Sequence, residues 1–338
     1  MTAAARRTAD ALDRGSRAAE PALWRAVGNT PLIAVPAFQR GAAELWLKAE
    51  WLNPGGSVKD RAALFILRDG VAQGELPGKR LLDSSSGNTA IAYAMLGAAA
   101  GIGVTVCVPA NASSERKRLL AAYGAEVVFT EPLEGADGAI LQARALAAAA
   151  PERYWYANQY GHAANPLAHY RTTAEELWRQ TDGAITHLVA GLGTTGTLMG
   201  TGRRLKELNP AIELVAVQPD GPFHGLEGLK HLATAIVPRI YDPALADRTE
   251  FVATEAAEDA VRRLARRAGV FGGWSTGAAL VAAERVAAAC AASGRAALIV
   301  VIAPDSGERY LSERRRRPGK GAGGDDGEGV SDAEGPAA

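Results

Sequence analysis

Lys59 lies at the end of the run Asn53-Pro54-Gly55-Gly56-Ser57-Val58-Lys59, between an alternating apolar stretch at 44–51 and a dense apolar segment at 62–67. The alternation reads as a strand and the dense segment as a buried helix. The Pro-Gly-Gly turn between them lets the backbone bend sharply and a ligand approach closely. An amine at such a strand-to-helix transition can form a Schiff base with an aldehyde cofactor and later act as a base. A solvated surface lysine is the competing reading of this run taken alone.

Three further segments change that balance. Ser84-Ser85-Ser86-Gly87-Asn88-Thr89 follows the short apolar pair Leu81-Leu82 and opens an alanine-rich helix. One Ser or Asn is enough for an N-cap, so this run exceeds what capping needs and suits an anion held by hydroxyls, an amide and backbone N–H groups. Gly191-Leu192-Gly193-Thr194-Thr195-Gly196-Thr197 stands between a strand-like and a helix-like segment and matches the G-x-G-x-x-G dinucleotide fingerprint. The next strand ends in Gln218 rather than an acidic residue, and the threonines suit a phosphate monoester better than a pyrophosphate. Gly272-Gly273-Trp274-Ser275-Thr276-Gly277 places a serine at a glycine-flanked turn, where its hydroxyl could meet a ring nitrogen or simply cap the helix that follows.

Taken in order, these motifs resemble the cysteine synthase branch of the fold-type II pyridoxal-phosphate enzymes. The resemblance runs from Val27-Gly28-Asn29-Thr30-Pro31-Leu32 to Pro304-Asp305-Ser306-Gly307-Glu308-Arg309-Tyr310 and on to Ser312. Asn165 and the residues after it to Thr173, with the turn at 193–197, look closest to cysteine synthase B.

The resemblance implies pyridoxal 5'-phosphate as cofactor, with Lys59 as Schiff-base lysine and Asn88 on the cofactor's phenolic oxygen. It implies a phosphate loop of Gly193, Thr194, Thr195, Gly196 and Thr197, with Ser275 on the pyridine nitrogen. Ser85, Ser86, Asn88 and Thr89 would clamp the substrate carboxylate, with Gln159 as a further contact. The family usually carries Thr at Ser85 and Gly at Ala90; the first change keeps a hydroxyl, and the second adds a methyl group that bears on loop closure.

The implied reaction is β-replacement. An O-acetylserine or O-phosphoserine substrate loses its β-substituent to give an α-aminoacrylate, and sulfide or a carrier-protein thiocarboxylate adds to give L-cysteine. The neutral hydroxyl of Ser275 would weaken the electron sink and favour rapid β-elimination over a long-lived carbanion. Lys230, flanked by His224 and His231, could pair with a substrate phosphate; a lysine between helical turns facing water is the alternative. Serine or threonine dehydratase chemistry is the rival within the cofactor class, and a catalytically silent protein-binding relative the rival outside it. A nicotinamide-dependent dehydrogenase ranks last. The resemblance also carries over a homodimer and, as protein partners, a small sulfur carrier or a serine acetyltransferase.

The 338 residues carry 37 basic and 37 acidic side chains, so no net field draws the chain to nucleic acid or membrane. The basic run Arg314-Arg315-Arg316-Arg317 and the Gly-rich acidic residues after it read as a solvated tail. Cys107 and Cys290 sit in apolar surroundings, as buried thiols of a reducing compartment do. No metal-ligand cluster appears. The N-terminal segment lacks the apolar run of a secretory signal, and its acidic residues argue against a transit peptide. A cytoplasmic location is expected.

Short apolar runs at 104–108, 126–129, 155–157, 187–190, 214–217 and 297–302 alternate with alanine-rich amphipathic segments, which predicts parallel sheets covered by helices. By resemblance, the α/β chain forms two open twisted domains with the cofactor in the cleft between them. Residues 53–163 would form the smaller, mobile domain, and 24–52 with 164–313 the larger. Residues 1–23 and 314–338 are expected to be disordered.

Overall fold

The computed structural model describes residues 20–85 and 87–311, together with Thr8. The chain builds two sheets. The larger contains β1 (Leu32–Ala34), β2 (Ala43–Ala49), β7 (His187–Gly191), β8 (Glu213–Pro219), β9 (Arg248–Val252) and β10 (Ala297–Ala303), in the order β1-β2-β10-β7-β8-β9. The smaller contains β3 (Arg80–Ser84), β4 (Val104–Pro109), β5 (Glu126–Thr130) and β6 (Tyr154–Tyr156), in the order β5-β4-β3-β6. Every pairing is parallel except that of β1 with β2.

The central strands are apolar at consecutive positions because both faces are covered. In β10, Ile299, Val301 and Ala303 enter the core shared with α9 (Thr254–Ala268) and α10 (Trp274–Ala292). Val300 and Ile302 face the opposite way, with α7 (Thr173–Gln180) and α8 (Gly196–Leu208). β8 divides likewise, Val215 and Val217 against Leu214 and Ala216. That is the period-2 alternation of a strand inside an unbroken apolar run. In the smaller sheet, Leu81 and Val106 join α2 (Lys59–Ala72) and α3 (Asn88–Ala100), while Leu82 and Cys107 face α5 (Gly135–Ala149).

The six strands expected from apolar runs are all present, each within two residues of its expected limits. β9 carries too few consecutive apolar residues to stand out, and Arg248–Val252 has an exposed face. Residues 22–25 already form a helical turn, and Trp24 lies in the core of the smaller sheet with its indole N–H on the Leu96 carbonyl at 2.9 Å. The tail at 314–338 and most of the segment before Trp24 lie outside the described residues. Cys107 and Cys290 are both free and buried. Among the described residues no helix is long and apolar enough to cross a membrane, and no group of acidic, His or Cys side chains could hold a metal ion.

Candidate active site

Each chemically suggestive motif runs into the first turn of a helix. Lys59 is the first residue of α2, Asn88 the first of α3, Gly196 the first of α8, and Ser275 the second of α10. Helix N-termini present unpaired N–H groups and a partial positive charge. α3 and α8 follow directly from the C-terminal ends of β3 and β7, the edge at which parallel sheets bind ligands.

A cleft between the sheets brings together the starts of α2 and α3 and the turn that leads into α8. It is lined by Lys59, Ser85, Asn88 and Thr89 on one side and by Gly193, Thr194 and Lys230 on the other, with Gln159 at its base. Lys59 is partly buried there, its backbone N–H 3.2 Å from Ser57 Oγ. Burial pushes its amine below the usual lysine range, against the opposing pull of Asp305 and Glu50.

The turn after β7 is shaped by close approach. A Cβ at Gly193 would overlap the Gly228 carbonyl oxygen, and one at Gly196 would overlap Asn165 Oδ1. Thr195 takes φ +70°, and its hydroxyl is buried with no hydrogen-bond partner. Asn165 braces the turn: its amide donates to the Gln159 carbonyl at 2.8 Å and to Thr194 Oγ1 at 3.2 Å. Thr197 Oγ1 lies 3.3 Å from His169 Nε2. Burial, and then the nearby Arg61, pushes His169 down to about 3, so the ring is neutral at working pH.

Across the cleft, Asn88 donates to Asp305 Oδ2 at 2.6 Å and accepts from Arg309 at 2.8 Å. Tyr310 donates to the same Asp305 oxygen. Thr89 donates to Gln159 Oε1 at 2.8 Å, and Gln159 Nε2 donates to the Ser84 carbonyl at 2.7 Å. Ser85, Asn88, Thr89 and Gln159 are therefore gathered in one place. Ser86 lies outside the described residues. Ser275 is 5 % exposed in the first turn of α10 and is not part of the cleft lining.

Lys230 does not face open water, the alternative read for it: it lines the cleft and already has a carboxylate partner. It sits in a segment without helix, is 8 % exposed, and donates to Asp137 Oδ1 at 2.8 Å beneath the Tyr160 ring. Its own N–H anchors the segment to the Leu192 carbonyl at 2.8 Å. A second ion pair crosses the cleft: Arg116 on α4 (Ser114–Ala122) reaches Glu227 at 2.7 Å and lies over the Tyr310 ring.

Arg116 and Glu227 line the cleft and belong to none of the sequence motifs, while Asp305 and Tyr310 stand in the closing motif, which assigned them no role. Asp305 had a signal, an acid directly beyond the apolar strand β10 at the ligand-binding edge of a parallel sheet. Arg116 had none, because what it meets lies 111 positions away.

These groups fit a phosphorylated aldehyde. The orphaned Thr195 hydroxyl and the free N–H groups of the first turn of α8 suit a phosphate, and the Lys59 amine in the same cleft suits the aldehyde. The family of pyridoxal-phosphate dependent enzymes matches residues 23–305. The chain is 49 % identical to a cysteine synthase of Aquifex aeolicus over 305 residues, covering 89 % of this chain and 93 % of that one. It is 40 % identical to cysteine synthase B of Pseudomonas aeruginosa, over 86 % and 96 % of the two chains. The structure of a cysteine synthase from Entamoeba histolytica superposes with a TM-score of 0.81 at 32 % identity, covering 89 % of this chain and 92 % of that one. Motifs, fold and likeness agree: the chain belongs to the pyridoxal-phosphate-dependent enzymes of fold type II, in the cysteine synthase family.

Proposed function

We propose that this chain makes L-cysteine by β-replacement, taking O-acetylserine or O-phosphoserine and a sulfur nucleophile, sulfide or a carrier-protein thiocarboxylate. The observation that carries this reading is the convergence of Lys59, of Ser85, Asn88 and Thr89, and of Gly193 and Thr194 on one cleft. Pyridoxal 5'-phosphate, when bound, supplies the aldehyde for Lys59 and a conjugated ring that draws electrons from the amino acid's α-carbon.

The remaining work belongs to the chain's own residues. Burial favours the neutral form of Lys59, which is the form that takes a proton from the α-carbon. Gly193, Thr194, Thr195, Gly196 and Thr197, with the first turn of α8, orient the cofactor through its phosphate. Asn88 addresses the phenolic oxygen and Ser275 the ring nitrogen. Ser85, Ser86, Asn88, Thr89 and Gln159 receive the substrate carboxylate, which the helix start at Asn88 also favours. The ion pairs Arg116–Glu227 and Lys230–Asp137 draw residues 225–236 towards the smaller sheet. A cleft closed in this way excludes water, so that a sulfur nucleophile rather than water completes the reaction.

The test is to load the protein with cofactor and add each ester separately, reading the visible spectrum, then to supply sulfide and measure cysteine and pyruvate. A spectral change with one ester followed by cysteine formation is expected, and the more effective ester names the substrate. Lys59→Ala should lose the lysine-bound cofactor band and turnover together. Pyruvate formed in place of cysteine with sulfide present would replace this reading with a dehydratase.

A further inference from the structure

Asp83, in β3, has a fully buried carboxylate directly behind the substrate turn. Its Oδ1 accepts the Ser84 N–H at 2.8 Å, and its Oδ2 accepts the Gln159 N–H at 3.0 Å and the Tyr93 hydroxyl at 3.1 Å. Ser84 and Gln159 begin the two turns that meet through the Thr89–Gln159 and Gln159–Ser84 hydrogen bonds. Asn158, just before Gln159, takes φ +46°. Asn tolerates this left-handed region better than most side chains, and the N–H of the next residue, Gln159, is tied to Asp83.

Asp83 forms no ion pair among the described residues. The titratable groups facing it are Tyr93 on α3, Cys107 on β4, and Tyr156 and Tyr160 on and after β6, all of which are neutral. The charge of Arg144, on α5, bears on Tyr156 and not on Asp83, and the other α5 residues on this face, Ala139 and Ala143, are apolar. A buried carboxylate without a counter-cation is unfavourable unless strong hydrogen bonds offset its desolvation.

We propose that Asp83 is a positioning residue for the amino-acid substrate, setting Ser84 and Thr89 against the turn at 158–159 at the spacing in which Thr89 and Gln159 grip its carboxylate. The inference rests on the reading of Thr89 and Gln159 as carboxylate contacts. Burial pushes Asp83 up to about 7, against the three donors. Ionised, it accepts from all three; protonated, it yields acceptor capacity to its own proton and the grip loosens.

The experiment measures the half-saturating concentration of O-acetylserine, with excess sulfide, for cofactor-loaded wild type, Asp83→Asn and Gln159→Ala between pH 6 and 8. Asn imitates the protonated acid. The ratio of Asp83→Asn to wild type should be about tenfold at pH 8 and fall to about twofold at pH 6, and the rise in KM should exceed the change in kcat. A ratio that stays constant with pH, or stays near one at pH 8, overturns the proposal. Gln159→Ala should raise KM across the range; if it does not, the carboxylate reading itself fails, separately from the role of Asp83. Should Asp83→Asn not fold, Tyr93→Phe removes one donor to the ionised form and should move the wild-type inflection to higher pH. An unmoved inflection overturns the proposal as well.

Discussion

Arg61 holds both carboxylate oxygens of Glu50, Nε at 2.7 Å from one and Nη2 at 2.8 Å from the other, in the interior and two residues along the chain from Lys59. Its other edge meets Glu176 at 2.6 and 2.7 Å, and Lys48 donates to Glu176 at 2.7 Å. Two cations and two anions thus join the first turn of α2 to the end of β2 and to α7. The lysine amine takes its place in the cleft from that junction.

Arg61→Met leaves two buried carboxylates with only Lys48 beside them. A loss of about 3–5 kcal/mol is expected at neutral pH, read by urea unfolding. In wild type, Arg61 contributes most to holding Glu176 down at about 2 and Glu50 below its usual range, in both cases against burial. The stability they supply is therefore complete above the unfolded carboxylate range and lost as pH falls towards about 2. In the variant their pKa values rise, so the gap between wild type and variant should narrow on acidification. A gap independent of pH would show that lost packing, not charge, dominates.

Gly193→Ala and Gly196→Ala test the phosphate turn. The Gly193 clash is with a backbone carbonyl that cannot rotate away, whereas the Gly196 clash is with the Asn165 side chain. Cofactor affinity should fall more in Gly193→Ala, by well over about tenfold, than in Gly196→Ala. Fluorescence titration with the cofactor measures both; equal affinities would contradict the geometry.

His169 has a folded pKa of about 3 against an ordinary value of 6.5. Between these values the unfolded chain binds the extra proton, so His169 contributes a loss of stability as pH falls from about 6.5. His169→Gln should flatten that part of the pH dependence of Tm between pH 5 and 7. An identical slope in the variant would mean that the ring protonates in the folded protein.

Asp137→Asn leaves Lys230 in the cleft lining without its carboxylate partner. If the leaving group is phosphate, kcat/KM for O-phosphoserine should rise relative to O-acetylserine, by about threefold or more for one charge-assisted contact. Lys230→Gln should lower the same ratio. A ratio unmoved in both variants assigns Lys230 to joining the two sides of the cleft alone.

Much of the fold was legible along the chain. Runs such as 104–108 and 297–302 are apolar at every position because helices cover both faces of their strands, and local composition records that burial. The segments that the proposed function uses, Lys59 and the glycine- and hydroxyl-rich helix starts near 84–89 and 193–197, were visible as local patterns too. Edge strands such as Arg248–Val252 were not, because one exposed face dilutes the apolar signal.

By itself, the sequence determined the groups on offer: a lysine, two helix starts rich in glycine and hydroxyls, and a serine, each set among neighbours within a few residues. Only the tertiary structure decided which side chains meet. Arg116 with Glu227, Lys230 with Asp137 and Asn88 with Asp305 are separated by 111, 93 and 217 positions. No local pattern encodes such pairings, because they depend on how two sheets come to face each other across a cleft. For Lys230 that decision replaces a side chain facing water with one buried in the cleft and paired with Asp137.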